Sequence, residues 1–200
     1  MDMPCDQGAP LGAYVDSVVE AIGDRRGDVV LVAQSLAGLV APLVGERVPV
    51  DLMVLVAAMV PVPGETGGEW WAATGHEEAV RAEGLPDDSP ETMFLHDVPA
   101  EVLATVEPPR EQDGVIFEDP WPLDAWPDVP TRFLLCRDDR FFPADWLRGV
   151  VRERLAIEPD VIPGGHCAFW SHPEELAAAV LRCWSELQAG QAVEPAQDSA

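Results

Sequence analysis

The run Val29-Val30-Leu31-Val32-Ala33, lying between a Gly27-Asp28 turn and the polar pair Gln34-Ser35, narrows the fold more than any other feature of the chain. It is β-branched and carries no polar alternation, so it suits a strand covered on both faces, as in a parallel sheet. A second run of this kind, Asp51 to Ala57, follows a helical stretch from Leu36 to about Glu46 that contains Pro42. Strand, helix and strand make a βαβ unit, because parallel strands need a long crossover. Upstream, Leu11, Tyr14, Val15, Val18, Val19 and Ile22 share one face of a 3.6-residue period, which predicts an amphipathic helix.

The alternation pauses between residues 60 and 130, a stretch rich in proline and tryptophan with short helical candidates at 69–74, 76–83 and 99–106. This segment reads as an inserted cap. After Pro130 the pattern resumes with a strand at 131–136, a helix at 144–155 and a short strand near 159–162. A last helix follows Ser171, where Ser171 and Glu174 have capping-box spacing. Residues 1–187 form one domain on this reading, and 188–200 a frayed polar tail.

Charge excludes several partners. Thirty-six acidic residues against 12 basic ones leave a net charge of −24, which repels nucleic-acid phosphates and anionic lipid headgroups. The four cysteines, Cys5, Cys136, Cys167 and Cys183, form no C-x-x-C pair and no metal-binding pattern with histidine, and they read as reduced thiols. No basic residue precedes Arg25, so the start lacks the positive region of a signal peptide, and the expected location is cytoplasmic.

In an open parallel sheet, ligands bind beyond the carboxyl ends of the strands. Three post-strand segments carry polar groups there: Ala33-Gln34-Ser35-Leu36-Ala37-Gly38, Arg137-Asp138-Asp139-Arg140, and Pro163-Gly164-Gly165-His166. The first has the form small-x-Ser-x-small, which a sharp strand-to-helix turn requires because strand and helix backbones approach closely. In the last, the glycine pair frees a loop to present His166. The acid is Asp138 or Asp139, with Asp139 better spaced before Pro143. Serine becomes nucleophilic when a base takes its proton and a carboxylate orients that base, and Ser35, Asp139 and His166 stand in chain order for that task. His76 and His96, among acidic cap residues, read as solvated surface side chains, and His172 as structural.

At these residues the chain resembles the α/β-hydrolase superfamily, in the branch of small esterases and hydroxynitrile lyases. The likeness runs from about Met3 to Leu187 and is carried by VVLVAQSLAG (29–38), AAMVPVPGE (57–65), LLCRDDRFFP (134–143) and IPGGHCAFWSHPEEL (162–176). The resemblance implies a three-layer α/β sandwich with a mainly parallel sheet and a helical cap. It also implies Ser35 as nucleophile, His166 as base, Asp139 as acid and the Leu36 backbone N–H as an oxyanion donor, without cofactor or metal. Trp70 and Trp71 of the cap would help to shape an apolar pocket. The implied activity is cleavage of a small carboxylic ester through an acyl-enzyme. Lyase chemistry is disfavoured, since those relatives use a lysine and this chain has none.

Two departures bear on that expectation. The opening Met1-Asp2-Met3-Pro4 is similar to the family's segment after its fourth strand, so the resemblance implies that the N-terminal strands and the loop donating the second oxyanion hydrogen bond are lacking. Ala33 and Ala37 also stand where the elbow has glycines. Together they support an alternative, a catalytically silent binding or interaction domain. An elbow strand at the sheet edge would also be an aggregation hazard, which a homodimer would cover.

Overall fold

The computed structural model describes residues 2–5, 8–107, 110 and 112–193. Four strands, β1 (Val30–Gln34), β2 (Leu52–Val56), β3 (Thr131–Cys136) and β4 (Asp160–Ile162), form one parallel sheet in the order β1-β2-β3-β4. The α/β class and the parallel sheet read from the sequence are those of the structure. Val32 pairs with Val54, Leu55 with Phe133, and Leu135 with Val161. Every residue of β2 is buried, so helices cover both its faces. β1 is not covered as its apolar run alone suggests: among the described residues it lies at the sheet edge, as the resemblance implies, and Val32 is 50% exposed, because an apolar run reports hydrophobicity but not position in the sheet.

Helix α1 spans Leu11–Ile22, as its periodicity predicts, and buries Leu11, Tyr14, Val15 and Ile22. Its first turn has no side-chain cap of its own. Instead Asp119, far along the chain, accepts the Leu11 N–H at 3.2 Å and satisfies one orphan donor. The continuous helix expected from Leu36 to Glu46 is two pieces, a 3-10 turn over Ser35–Gly38 and a short helix α2 (Ala41–Gly45). Pro42 sits in the first turn of α2, where its missing N–H costs nothing, and does not disturb it.

The cap begins after β2 and contains α3 (Gly67–Ala73), α4 (His76–Ala82), α5 (Pro90–Met93) and α6 (Ala100–Leu103). Thr66 and Glu69 form a reciprocal capping box that starts α3. Beyond β3, α7 (Ala144–Leu155) returns to β4; α8 (Ala168–Ser171) and α9 (Pro173–Val193) follow. The capping box expected at Ser171 and Glu174 is replaced. Ser171 closes α8, and its hydroxyl pairs with His172 Nδ1 at 3.0 Å. Part of the expected tail, 188–193, continues α9, while 194–200 lie outside the described residues. Among the described residues no helix is long and apolar enough to cross a membrane.

A buried ion pair fastens the cap to the sheet domain. Glu65, at the cap's start, receives a two-pronged contact from Arg154 at the end of α7, with Nη2 2.9 Å from Oε1, and Arg154 also donates to the Val60 carbonyl at 2.7 Å. Both side chains are almost wholly buried, so removing either partner strands a charge. Arg154→Met should therefore lower unfolding free energy by about 3–5 kcal/mol in denaturant titration. A loss below about 1 kcal/mol would show that the pair behaves as a surface contact.

Candidate active site

The site starts where β1 meets the 3-10 turn. Ser35 has φ +54°, the left-handed region that a non-glycine residue occupies at a cost of about 1–3 kcal/mol and only when its surroundings enforce it. Two hydrogen bonds provide that enforcement. The Ser35 N–H donates to the Ala57 carbonyl at 3.2 Å, and the Ser35 carbonyl accepts the Met59 N–H at 2.9 Å. The turn is thus stitched to the chain leaving β2.

Three residues later the two backbones nearly touch. A Cβ on Gly38 would stand 2.9 Å from the Met59 carbonyl carbon and nitrogen and closer still to its oxygen. Glycine is required at 38, whereas alanine is tolerated at 33 and 37. The close approach lies one residue beyond the position that the small-x-Ser-x-small spacing marks. Leu36 follows the serine in the first positions of this turn.

The structure brings Ser35, His166 and Asp139 together. His166 Nε2 lies 2.9 Å from Ser35 Oγ, and His166 Nδ1 lies 2.8 Å from Asp139 Oδ2. Asp139 Oδ1 accepts the Phe141 and Phe142 N–H groups at 2.9 and 2.8 Å, so both carboxylate oxygens are engaged. The choice left open between Asp138 and Asp139 is decided by direction. Asp138 turns outward to Arg137 and accepts the Gly164 N–H at 3.2 Å. Burial pushes its pKa up, but the hydrogen bonds from Arg137 and Gly164, with nearby positive charge, hold it below the ordinary aspartate value. Asp139 and His166 are both buried. Asp139 is acceptor-only toward its partners, so His166 Nδ1 carries the proton and Nε2 is free to accept from Ser35.

The His166 loop is held at both ends. Gly164 has φ +104°, and the His166 carbonyl accepts Gln34 Nε2–H at 3.0 Å, linking the residue before the serine to the histidine itself. Phe94, Phe141 and Phe142 surround the imidazole, ring centres 5.1–5.3 Å away. Trp70 is fully buried with its indole N–H on the Val60 carbonyl, so it packs rather than lines a pocket. A largely apolar cavity of about 390 Å³ runs along β1, its wall including Gln34 and Leu36 on either side of the serine, with Tyr14, Val18 and Val40. Cys136 and Cys167 lie nearby. Burial and the neighbouring carboxylates push both thiols up, Cys167 to about 11, and neither is a thiolate at neutral pH. Among the described residues no group of His, Cys, Asp and Glu could hold a metal ion.

The sequence matches the alpha/beta hydrolase family over residues 2–179. The chain belongs to this family. Solved structures share its fold: polyneuridine aldehyde esterase (18% identity, covering 86% of this chain and 79% of that one, TM-score 0.68) and a pyrethroid hydrolase from Sphingobium faniae (19%, 88% and 78%, 0.66). A tomato methylketone synthase I variant, solved with beta-ketoheptanoate, is similar at 18% identity, covering 89% and 79% of the two chains with a TM-score of 0.65. No curated protein sequence matched.

Two cap histidines read as surface residues have other places in this hydrolase-family fold. His76 is half buried among Trp70, Trp71, Phe141, Phe142 and Trp146, and its Nε2 lies 2.7 Å from the Phe141 carbonyl. His96 Nε2 lies 3.0 Å from the Asp138 carbonyl. Asp97 was not singled out by the sequence, yet its Oδ2 accepts the Gly165 N–H at 2.6 Å. Their hydrogen-bond partners are backbone groups, which no residue pattern announces, and Asp97 Oδ2 also faces His172 Nδ1 at 3.7 Å.

Two outcomes follow from this geometry. Gly38→Ala forces a backbone clash that no rotamer relieves, and should destabilise the fold by the upper end of about 1–3 kcal/mol in denaturant titration; an unchanged midpoint would contradict the close approach. Burial lowers the pKa of His76, against opposing contributions from its Phe141 hydrogen bond and the Asp139 charge. Between that lowered value and about 6.5 the unfolded chain binds a proton the folded chain does not, so stability rises with pH through this window and falls on acidification. Titrations across the window should show a steeper acid loss in wild type than in His76→Phe, and parallel curves would contradict the assignment.

Proposed function

We propose that this protein is a serine hydrolase acting on small uncharged carboxylic esters through an acyl-enzyme. The observation that carries the reading is the unbroken relay from Asp139 through His166 to Ser35 Oγ, on a serine held at φ +54°. His166 Nε2 takes the Ser35 proton as Oγ attacks the ester carbonyl. Asp139 stabilises the resulting imidazolium, and the developing oxyanion receives the Leu36 N–H. His166 then gives its proton to the leaving alkoxide, and an alcohol departs. In the second half, His166 deprotonates a water that attacks the acyl-serine; the carboxylic acid leaves and the proton returns to Ser35.

Substrate class is argued from surface and charge. The aromatic rings beside His166 favour an uncharged, apolar substrate. A net charge of −24 opposes anionic substrates. The cations nearest the site are engaged, Arg137 with Asp138 and Arg140 with the Thr92 carbonyl. The esterase and pyrethroid hydrolase named among the similar structures agree with this class.

Hydrolysis of p-nitrophenyl acetate and butyrate tests the reading. Ser35→Ala and His166→Ala should each lower kcat by on the order of 10⁴-fold or more without loss of fold. Turnover that persists in folded Ser35→Ala would overturn it.

A further inference from the structure

Three cap side chains reach the two loops that carry the acid and the base, and each bonds to backbone there. His76 meets the Phe141 carbonyl at 2.7 Å, His96 the Asp138 carbonyl at 3.0 Å, and Asp97 the Gly165 N–H at 2.6 Å. The first contact matters most because of peptide planarity. The Phe141 carbonyl and the Phe142 N–H belong to one rigid peptide unit, pointing in opposite directions. At one end of this unit His76 donates its Nε2–H to the carbonyl. At the other the Phe142 N–H donates to Asp139 Oδ1 at 2.8 Å. Rotation of that plane would take the N–H off the carboxylate, and the His76 donor on the far side opposes that rotation. The residues around it lack regular secondary structure, so no ladder does the same work.

Asp97 treats the base in the same way. Gly164 and Gly165 have no side chains of their own; Asp138 accepts the Gly164 N–H, and the Gly165 N–H, immediately before His166, goes to Asp97. The fit is close, since a Cβ on Gly165 would stand 2.7 Å from both Asp97 Oδ1 and His96 Nε2. Asp97 Oδ1 is itself buried with no hydrogen-bond partner, a cost that the fold accepts at this position.

We propose that His76 and Asp97 are positioning residues, by which the cap clamps the acid loop and the base loop and so holds Asp139 and His166 in register with Ser35. The proposal rests on the triad reading above. On it the cap is part of the catalytic machinery as well as a cover over the pocket, and a change in the cap reaches the reacting groups through two peptide units.

The test joins ester kinetics with proton NMR of the intact chain. The His166 Nδ1–H shared with Asp139 should give a far-downfield resonance, assigned by its loss in His166→Ala. His76→Phe keeps an aromatic ring but no N–H. It should lower kcat on the order of 10- to 100-fold, leave KM within about twofold, and shift or broaden the downfield resonance. His76→Gln, whose amide can donate to the same carbonyl, should recover most of both signals. Asp97→Ala should act likewise, with Asp97→Asn, which keeps an acceptor, near wild type; this pair stands independently should His76→Phe fail to fold. Folded His76→Phe or Asp97→Ala with wild-type kcat and an unmoved resonance would overturn the clamp. A wild type that shows the resonance without turnover sinks the esterase reading alone, and the variants' resonances then decide the clamp. A wild type with neither overturns the triad and the clamp together.

Discussion

The contact between the serine turn and the chain leaving β2 organises this molecule. Gly38 lies against the Met59 backbone, and the Ser35 peptide groups bond to Ala57 and Met59 on the same segment. Ser35 is held in an otherwise unfavourable conformation because both sides of the turn are fixed to Ala57 and Met59, buried residues of the segment that leaves β2. Strain of this kind persists only where the surroundings over-determine it, and that buried segment provides the support. The rest of the site is built outward from the place where the Ser35 hydroxyl is presented.

Outward from the serine, the supporting contacts are mostly from side chain to backbone. Gln34 holds the His166 carbonyl, and the Phe141 and Phe142 N–H groups hold Asp139. Arg154 and Glu65 lock the start of the cap to α7, while Trp146 of α7 donates its indole N–H to the Thr74 carbonyl at 2.7 Å between two cap helices. The cap is therefore anchored on the same elements that carry the acid. Buried networks of this type rigidify a site when every member is satisfied.

Much of this was legible in the sequence, for identifiable reasons. The strands β2 and β3 are unbroken apolar runs, and helix α1 has a clean period. Ser35 directly follows β1, Asp139 comes three residues after β3 and His166 four after β4, so topology takes all three to one edge of the sheet. Between Asp138 and Asp139 the spacing before Pro143 gave only a preference for Asp139, because neighbouring aspartates differ chiefly in which way a turn points them; the Phe141 and Phe142 N–H groups point Asp139 toward His166. The edge position of β1 is implied by the family resemblance but not by the run itself, since Val32 is as apolar as Val54 although only the second is covered. The roles of His76, His96 and Asp97 were hidden. The cap has no long period to place them, and their hydrogen bonds go to main chain.

On the proposed reading, Ser35 is activated by His166. Intact-mass analysis after treatment with a fluorophosphonate tests it most directly, since the reagent phosphonylates activated serines and needs no knowledge of the natural ester. One adduct, mapped to Ser35 and absent from folded Ser35→Ala and His166→Ala, is the predicted result. Folded wild-type protein that takes up no adduct, or takes it up equally with His166 removed, would contradict it.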